Sequence, residues 1–178
     1  MSTRSLGSGR FLRLVAADGW EYVERVNASG VAALAAVTDE GRLLLVEQYR
    51  APVRGPVIEL PAGLCGDDAG ASGELLKDAA CRELLEETGY EVPGGRDSLE
   101  LLFTVTSSAG LTNEVVTIFG VDGVRKVAEG GGVDREDIVV HVLPVGEVAG
   151  WLLTRSRAGV LVDPKVFIGL DFALRKTA

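Results

Sequence analysis

Cysteine is scarce: the 178-residue chain has two, Cys65 and Cys81. That is too few for a disulfide framework and leads us to expect a reducing compartment, the cytoplasm. Histidine is scarcer still. His141 is the only one, it lies in a strand-like stretch, and no Ser–His or Cys–His–Asp arrangement is suggested. We expect it to be structural. Basic residues are in deficit, 18 against 26 acidic, for a net charge of −8. A general nucleic-acid binder needs a basic face, so no nucleic-acid partner is expected. An acidic protein that handles phosphate needs local arginine or a metal to offset its own field. No apolar run approaches the length that spans a bilayer, so no membrane partner is expected either. Residues 1–10 are polar and Gly/Ser-rich and lack the apolar centre of a signal peptide. They read as a disordered lead-in.

What is present suffices for a core. Apolar residues make up 47% of the chain, and the length suits one domain with a small appendage. Phe11 to Ala16 and Trp20 to Val26 flank Asp18-Gly19, a strong hairpin signal. Val31 to Thr38 is a run of small apolar residues, consistent with a buried strand. Further strands are expected over Arg42 to Gln48, Val57 to Leu60, Leu99 to Thr106, Val115 to Val121 and Ile138 to Leu143. A Gly-rich acidic loop runs from Glu129 to Asp137. Pro144 opens a helix to about Arg155. Asp163-Pro164 starts a last helix with Val166, Phe167, Leu170 and Leu174 on its apolar face. Strands alternating with three helices make the class α/β or α+β.

The most informative stretch runs from Pro61 to Tyr90. Ser72 can cap a helix, Glu74 suits its first turn and Gly89 its stop. Leu76, Ala80, Glu83 and Glu87 then share one helical face, apolar in its first half and carboxylate in its second. Glu86 lies one turn from Glu83 and beside Glu87. Like charges at these spacings repel, the more so in a partly buried site. One reading is a solvated acidic helix end. The other is a site for a hard divalent cation, Mg²⁺ or Mn²⁺, whose preferred ligands are carboxylate oxygens.

Arg82-Glu83-Leu84-Leu85-Glu86-Glu87-Thr88-Gly89-Tyr90, with Glu74 eight residues before Arg82, resembles the signature of the Nudix hydrolase family. Asp68 stands where the family pattern has Gly. The Gly of Pro61-Ala62-Gly63 precedes Glu74 by eleven positions, which implies a longer loop carrying Asp67 and Asp68. Four other stretches, Trp20 to Arg25, Glu47 to Arg50, Ile58 to Leu64 and Ser107 to Glu114, resemble the branch that hydrolyses ADP-ribose and other nucleoside diphosphate sugars.

The resemblance implies a mixed-sheet α/β/α sandwich over residues 31–178, with residues 11–30 as an added β-hairpin that serves dimerisation. Its partners would be a nucleotide-sugar substrate and a second copy of the chain, in a homodimer. It implies metal ligation by the Ala62 carbonyl, Glu83, Glu86 and Glu87. Glu114, Glu86 and Arg82 would be catalytic, with Glu114 positioning or deprotonating the attacking water. Trp20, Arg25, Arg50, Glu59 and Gly110 would bind substrate, Trp20 by stacking on the base. Each also has a plain reading, as a packing aromatic, a solvated loop charge or a turn residue. Ala109 replaces a Pro common in the related loop, which points to a less constrained loop and more than one accepted sugar. The alternative function is a non-hydrolytic Nudix-fold module that senses or binds a nucleotide. Such modules typically lack one or more of the carboxylates present here.

Overall fold

The computed structural model describes residues 3–26, 28–66, 75–132 and 137–177. Three antiparallel strands open the chain: β1 (Arg4–Ser8), β2 (Leu12–Ala17) and β3 (Trp20–Arg25), in that spatial order. Asp18 and Gly19 both take positive φ, 51° and 85°. That is the primed turn whose twist matches the flanking strands. Arg4–Ser8 thus corrects the expected disordered lead-in. It pairs with β2 and widens the hairpin into a small sheet.

The larger sheet is mixed and nine-stranded. Its spine is β4 (Gly30–Thr38), which pairs with β5 (Arg42–Arg50) and β7 (Ala62–Cys65), while β6 (Gly55–Glu59) lies beyond β5. Helix α1 (Leu76–Thr88) and the two-residue β8 (Tyr90–Glu91) follow, then β9 (Glu100–Thr106), β10 (Val115–Lys126) and β11 (Ile138–Pro144). The chain ends with α2 (Val145–Arg157), β12 (Leu161–Val162) and α3 (Lys165–Thr177). Strands β10 and β4 run parallel, as do β12 and β6, while the other pairs in this sheet are antiparallel.

Alternation along β4 explains the layers. Ala33, Ala35 and Val37 face α2 and α3, with Val148, Leu152, Val166 and Phe172. Ala32, Leu34 and Ala36 face α1, with Ala80 and Leu84. Successive strand side chains point to opposite faces, so a strand buried on both sides is apolar throughout. Small side chains on β4 let both helical layers approach. Gly120 does the same on β10, where a Cβ would lie 2.7 Å from the Phe172 ring. The result is the expected α/β/α sandwich.

Several details differ from expectation. On α3 the buried residues are Val166, Gly169, Leu170, Phe172 and Ala173, whereas Phe167 and Leu174 are exposed. Asp163 Oδ1 accepts a bond from the Lys165 N–H at 2.8 Å and so starts this helix as expected. Pro144 is the last residue of β11 and the N-cap of α2 rather than its first helical residue. The N-cap of α1 is Leu75, without a side-chain cap. Ser72 and Glu74, expected to start α1, lie outside the described residues, as do Asp67 and Asp68. Strands β7, β8 and β12 were not expected. Two to four residues are too few for a periodic pattern, and partners elsewhere define them. Among the described residues no helix is long and apolar enough to cross a membrane.

Candidate active site

The edge of β4 is shared. Gly30 to Ala33 pair with β7, while Val37 pairs with β5. This split admits β7 beneath the C-terminal half of α1. Ala62 lies opposite Ala33, but its N–H turns away from β4 and donates to Glu87 Oε2 at 3.1 Å. Glu87 is 3% exposed, a carboxylate set into the interior. Next along β7, Gly63 leaves room for Glu83: a Cβ on Gly63 would fall 1.8 Å from Glu83 Oε1. Arg82 spans the remaining carboxylates. Its Nη1 donates to Glu83 Oε1 at 2.9 Å and to Glu86 Oε2 at 3.1 Å, and its Nη2 donates to the Leu64 carbonyl at 3.1 Å. The acidic helix end is therefore not a solvated surface. It is packed on a strand and cross-braced by an arginine. Arg82, expected among the catalytic groups, has the contacts of a positioning residue. Among the described residues no three acidic, His or Cys side chains converge as a ready-made metal cage.

A second group gathers at the other expected catalytic residue. Glu114 ends the loop between β9 and β10. Its Oε2 pairs with Arg25 Nε, and its Oε1 accepts from Ser107 Oγ at 2.7 Å. Burial pushes the Glu114 carboxyl up. The hydrogen bonds from Ser107 and Arg25, with the charges of Arg25 and Lys165, outweigh burial and hold it below the usual carboxylate range. A cavity of about 180 Å³ opens here between Arg25, Ser29, Gly30, Asn113 and Glu114.

The small sheet docks on this loop within one chain. Val23 N–H donates to the Leu111 carbonyl at 2.9 Å, Val23 bridges Thr112 in parallel, and Asn113 Nδ2 donates to Glu24 Oε1 at 3.3 Å. Docking brings Trp20 over Gly110, where a Cβ would lie 4.0 Å from the indole. Trp20 is 62% exposed, so most of its ring is open. Arg50 and Glu59 also meet, Arg50 Nε donating to Glu59 Oε2 at 2.7 Å. The expected substrate residues thus come together as Trp20 with Gly110, Arg25 with Glu114, and Arg50 with Glu59.

Sequence reading did not assign Ser107 a role, although it lies within the loop that was singled out. It also missed a polar cluster on β5, β11 and α2. Arg155 Nη2 donates to both Glu47 oxygens at 2.5 and 2.6 Å, and His141 Nε2 lies 2.9 Å from Glu47 Oε2. The His141 ring stands 4.7 Å from that of Trp151. This cluster joins α2 to the sheet. Only cross-strand register could have revealed it, because Glu47 and Arg155 are 108 residues apart. Cys65 is buried and Cys81 half-buried. Burial and the Asp78 charge push the Cys81 thiol up despite Lys77, the opposite of what a nucleophile needs.

Comparison with known proteins bears on this arrangement. The family model of the NUDIX domain matches residues 28–160. A methanol dehydrogenase activator of Bacillus methanolicus is 31% identical over 145 residues, 78% of this chain and 74% of that protein. An ADP-ribose pyrophosphatase of Bacillus subtilis is 32% identical over 155 residues, 87% and 77% of the two chains. A GDP-mannose pyrophosphatase of Cronobacter sakazakii is 30% identical over 161 residues, 85% and 75%. A solved structure described as an ADP compounds hydrolase shares the fold, with TM-score 0.67 at 17% identity over 99% of this chain and 91% of that one. With the signature helix seated on β7 and the domain matched over most of its length, the chain belongs to the Nudix hydrolase family.

Proposed function

We propose that this protein is a divalent-metal-dependent pyrophosphatase that hydrolyses ADP-ribose and related nucleoside diphosphate sugars to a nucleoside monophosphate and a sugar phosphate. The observation that carries the reading is the seating of Glu83 and Glu87 against Ala62 and Gly63, with Glu86 beside them. The donor set is all oxygen and strongly anionic, which suits Mg²⁺ or Mn²⁺. The close approach of Glu83 that Gly63 permits, and an ionisable carboxylate buried at Glu87, fit a site built to receive a cation. In an antiparallel pair the N–H and C=O of one residue project to the same side. The Ala62 carbonyl therefore turns, like its N–H, toward α1. Glu83, Glu86, Glu87 and this carbonyl are the groups that would hold the metal. Bound there, Mg²⁺ or Mn²⁺ would offset the diphosphate charge and lower the pKa of a water.

The remaining residues bind and orient. Trp20 offers an open aromatic face to a base, and such stacking is worth roughly 1–3 kcal/mol. Arg25 and Arg50 present guanidinium groups suited to phosphate oxygens, each held beside a carboxylate until an anion arrives. Glu114 accepts a proton from, or orients, the attacking water. Its lowered pKa keeps it ionised but makes it a weak base, which favours orienting the water over taking its proton. Lys165 contributes to that field from α3. The protein acts as a homodimer in the cytoplasm. Leu12 and Leu14 share one face of β2 and leave it apolar and exposed on the small sheet, which a second copy would cover.

The experiment is kcat/KM for ADP-ribose, GDP-mannose, ADP-glucose, UDP-glucose and ATP with one divalent metal. We expect at least two nucleotide sugars within about tenfold of each other, a spread of about 1.4 kcal/mol in barrier, and ATP as the poorest. Nucleotide binding without hydrolysis of any of them would overturn the reading in favour of a sensing module.

A further inference from the structure

Lys126 at the end of β10 and residues 127–132 after it have no part in the chemistry above, yet they contact the end of α1 at almost every carbonyl the helix leaves over. Gly132 N–H donates to Glu86 O at 3.0 Å and Gly131 N–H to Glu87 O at 2.8 Å. Lys126 Nζ donates to Thr88 O at 2.9 Å. Val127 and Ala128 N–H both donate to Gly89 O, at 2.8 and 3.0 Å. The last carbonyls of a helix normally rely on water or a local cap. Here a distant segment serves them. The fit is backbone on backbone: a Cβ on Gly130 would lie 2.3 Å from Thr88 C, and one on Gly89 would lie 2.1 Å from Ala128 O. Both glycines have positive φ, 75° and 73°.

The electrostatics point the same way. The C-terminus of a helix carries partial negative charge, which favours cations and disfavours carboxylates. Helix α1 has Glu83, Glu86 and Glu87 toward that end and no basic residue in its last turn. Lys126 supplies the cation from another element. Its ammonium also donates to Glu129 O at 2.7 Å and stands 5.3 Å from the Tyr90 ring, so three contacts hold it in place.

We infer that Lys126, with the glycine turn 130–132, is a positioning device that holds the end of α1 so that Glu86 and Glu87 stand in ligating register. The inference rests on the proposed reading of those carboxylates as metal ligands. Lys126 is exposed, so replacing it leaves no cavity in the core.

The test compares wild type with K126M and K126R by two readouts without substrate. One is Mn²⁺ affinity, from the paramagnetic signal of free Mn²⁺. The other is amide hydrogen exchange over residues 84–90 in metal-free protein. K126M should weaken Mn²⁺ binding by about tenfold or more, the range seen when groups supporting a metal's ligands are removed. Exchange at the end of α1 should rise as well. K126R should keep Mn²⁺ affinity within about threefold, since it retains a positive charge and N–H donors. Equal or tighter Mn²⁺ binding by K126M would overturn the inference, because Lys126 would then be a bystander or a charge that repels the metal. Failure of the wild type to bind Mn²⁺ would instead defeat the metal reading, and the inference with it. If K126M does not fold, K126Q takes its place under the same criteria.

Discussion

The candidate site has two halves built in different ways. The end of α1 is set into the domain: Glu87 is buried, Glu83 lies along the Gly63 backbone, and main-chain bonds reach the helix from β7 and from the loop after β10. The other half, Glu114 with Arg25, Trp20 and Gly110, is assembled at the surface from side-chain ion pairs and one short bridge to an appended sheet. Backbone contacts in a core resist rearrangement, whereas exposed ion pairs contribute little and exchange partners readily. The comparison teaches that the carboxylates proposed as metal ligands are pre-set by backbone contacts, while the groups proposed to bind substrate are held by one another, Arg25 by Glu114 and Arg50 by Glu59.

The strongest way to break this comparison is to neutralise the pre-set half. E83Q and E87Q should each lower kcat at saturating Mg²⁺ by at least about a hundredfold, beyond the usual effect of losing a group that merely supports a ligand. Both should still melt cooperatively, since the change is isosteric. Near-native kcat in both would remove the metal assignment. A smaller effect is expected in the surface half. W20A should raise KM by about tenfold, the equivalent of one good stacking contact, and leave kcat within a fewfold. A kcat loss equal to the KM effect would show that the small sheet shapes the reacting groups and is not only a binding platform.

The smallest effect concerns pH and sharpens the account of Glu114. Its carboxyl is held low in the folded protein, so it stays ionised as pH falls and loses its charge only below the usual carboxylate range. Any stability it contributes is present above its unfolded pKa and lost as pH falls through the folded one. In S107A one of the lowering hydrogen bonds is gone, while the opposing effect of burial remains. The acid limb of kcat/KM should therefore move to higher pH. An unmoved limb would assign that limb to another group.

Much of this was legible in the residues. The helix, its carboxylate face, its Gly89 stop, the Asp18-Gly19 turn and the buried β4 all follow from short-range rules of periodicity, capping and turn chemistry. Features set by long-range contacts were not. Strand β1 forms because β2 offers an edge, and nothing in the Gly/Ser-rich segment itself signals a strand. Phe167 and Leu174 lie on the exposed side of α3 because the sheet takes the face bearing Val166, Leu170 and Ala173. Arg82 is drawn to the Leu64 carbonyl by the approach of β7. Glu47, His141 and Arg155 meet because β11 pairs with β5 and α2 packs on it.

The sequence by itself determined which groups are proposed to carry chemistry: Glu83, Glu86 and Glu87 on one helix end, Glu114 on a loop, and arginines and an indole elsewhere. Local spacing suffices for that, because a helix converts a separation of three or four residues into neighbourhood. Only the tertiary structure decided what each group holds. Gly63 beneath Glu83, the Ala62 N–H on Glu87, Arg25 on Glu114 and Lys126 on the Thr88 carbonyl all join segments far apart in the chain. Such contacts depend on strand register and on how closely two backbones approach, and no local pattern encodes either.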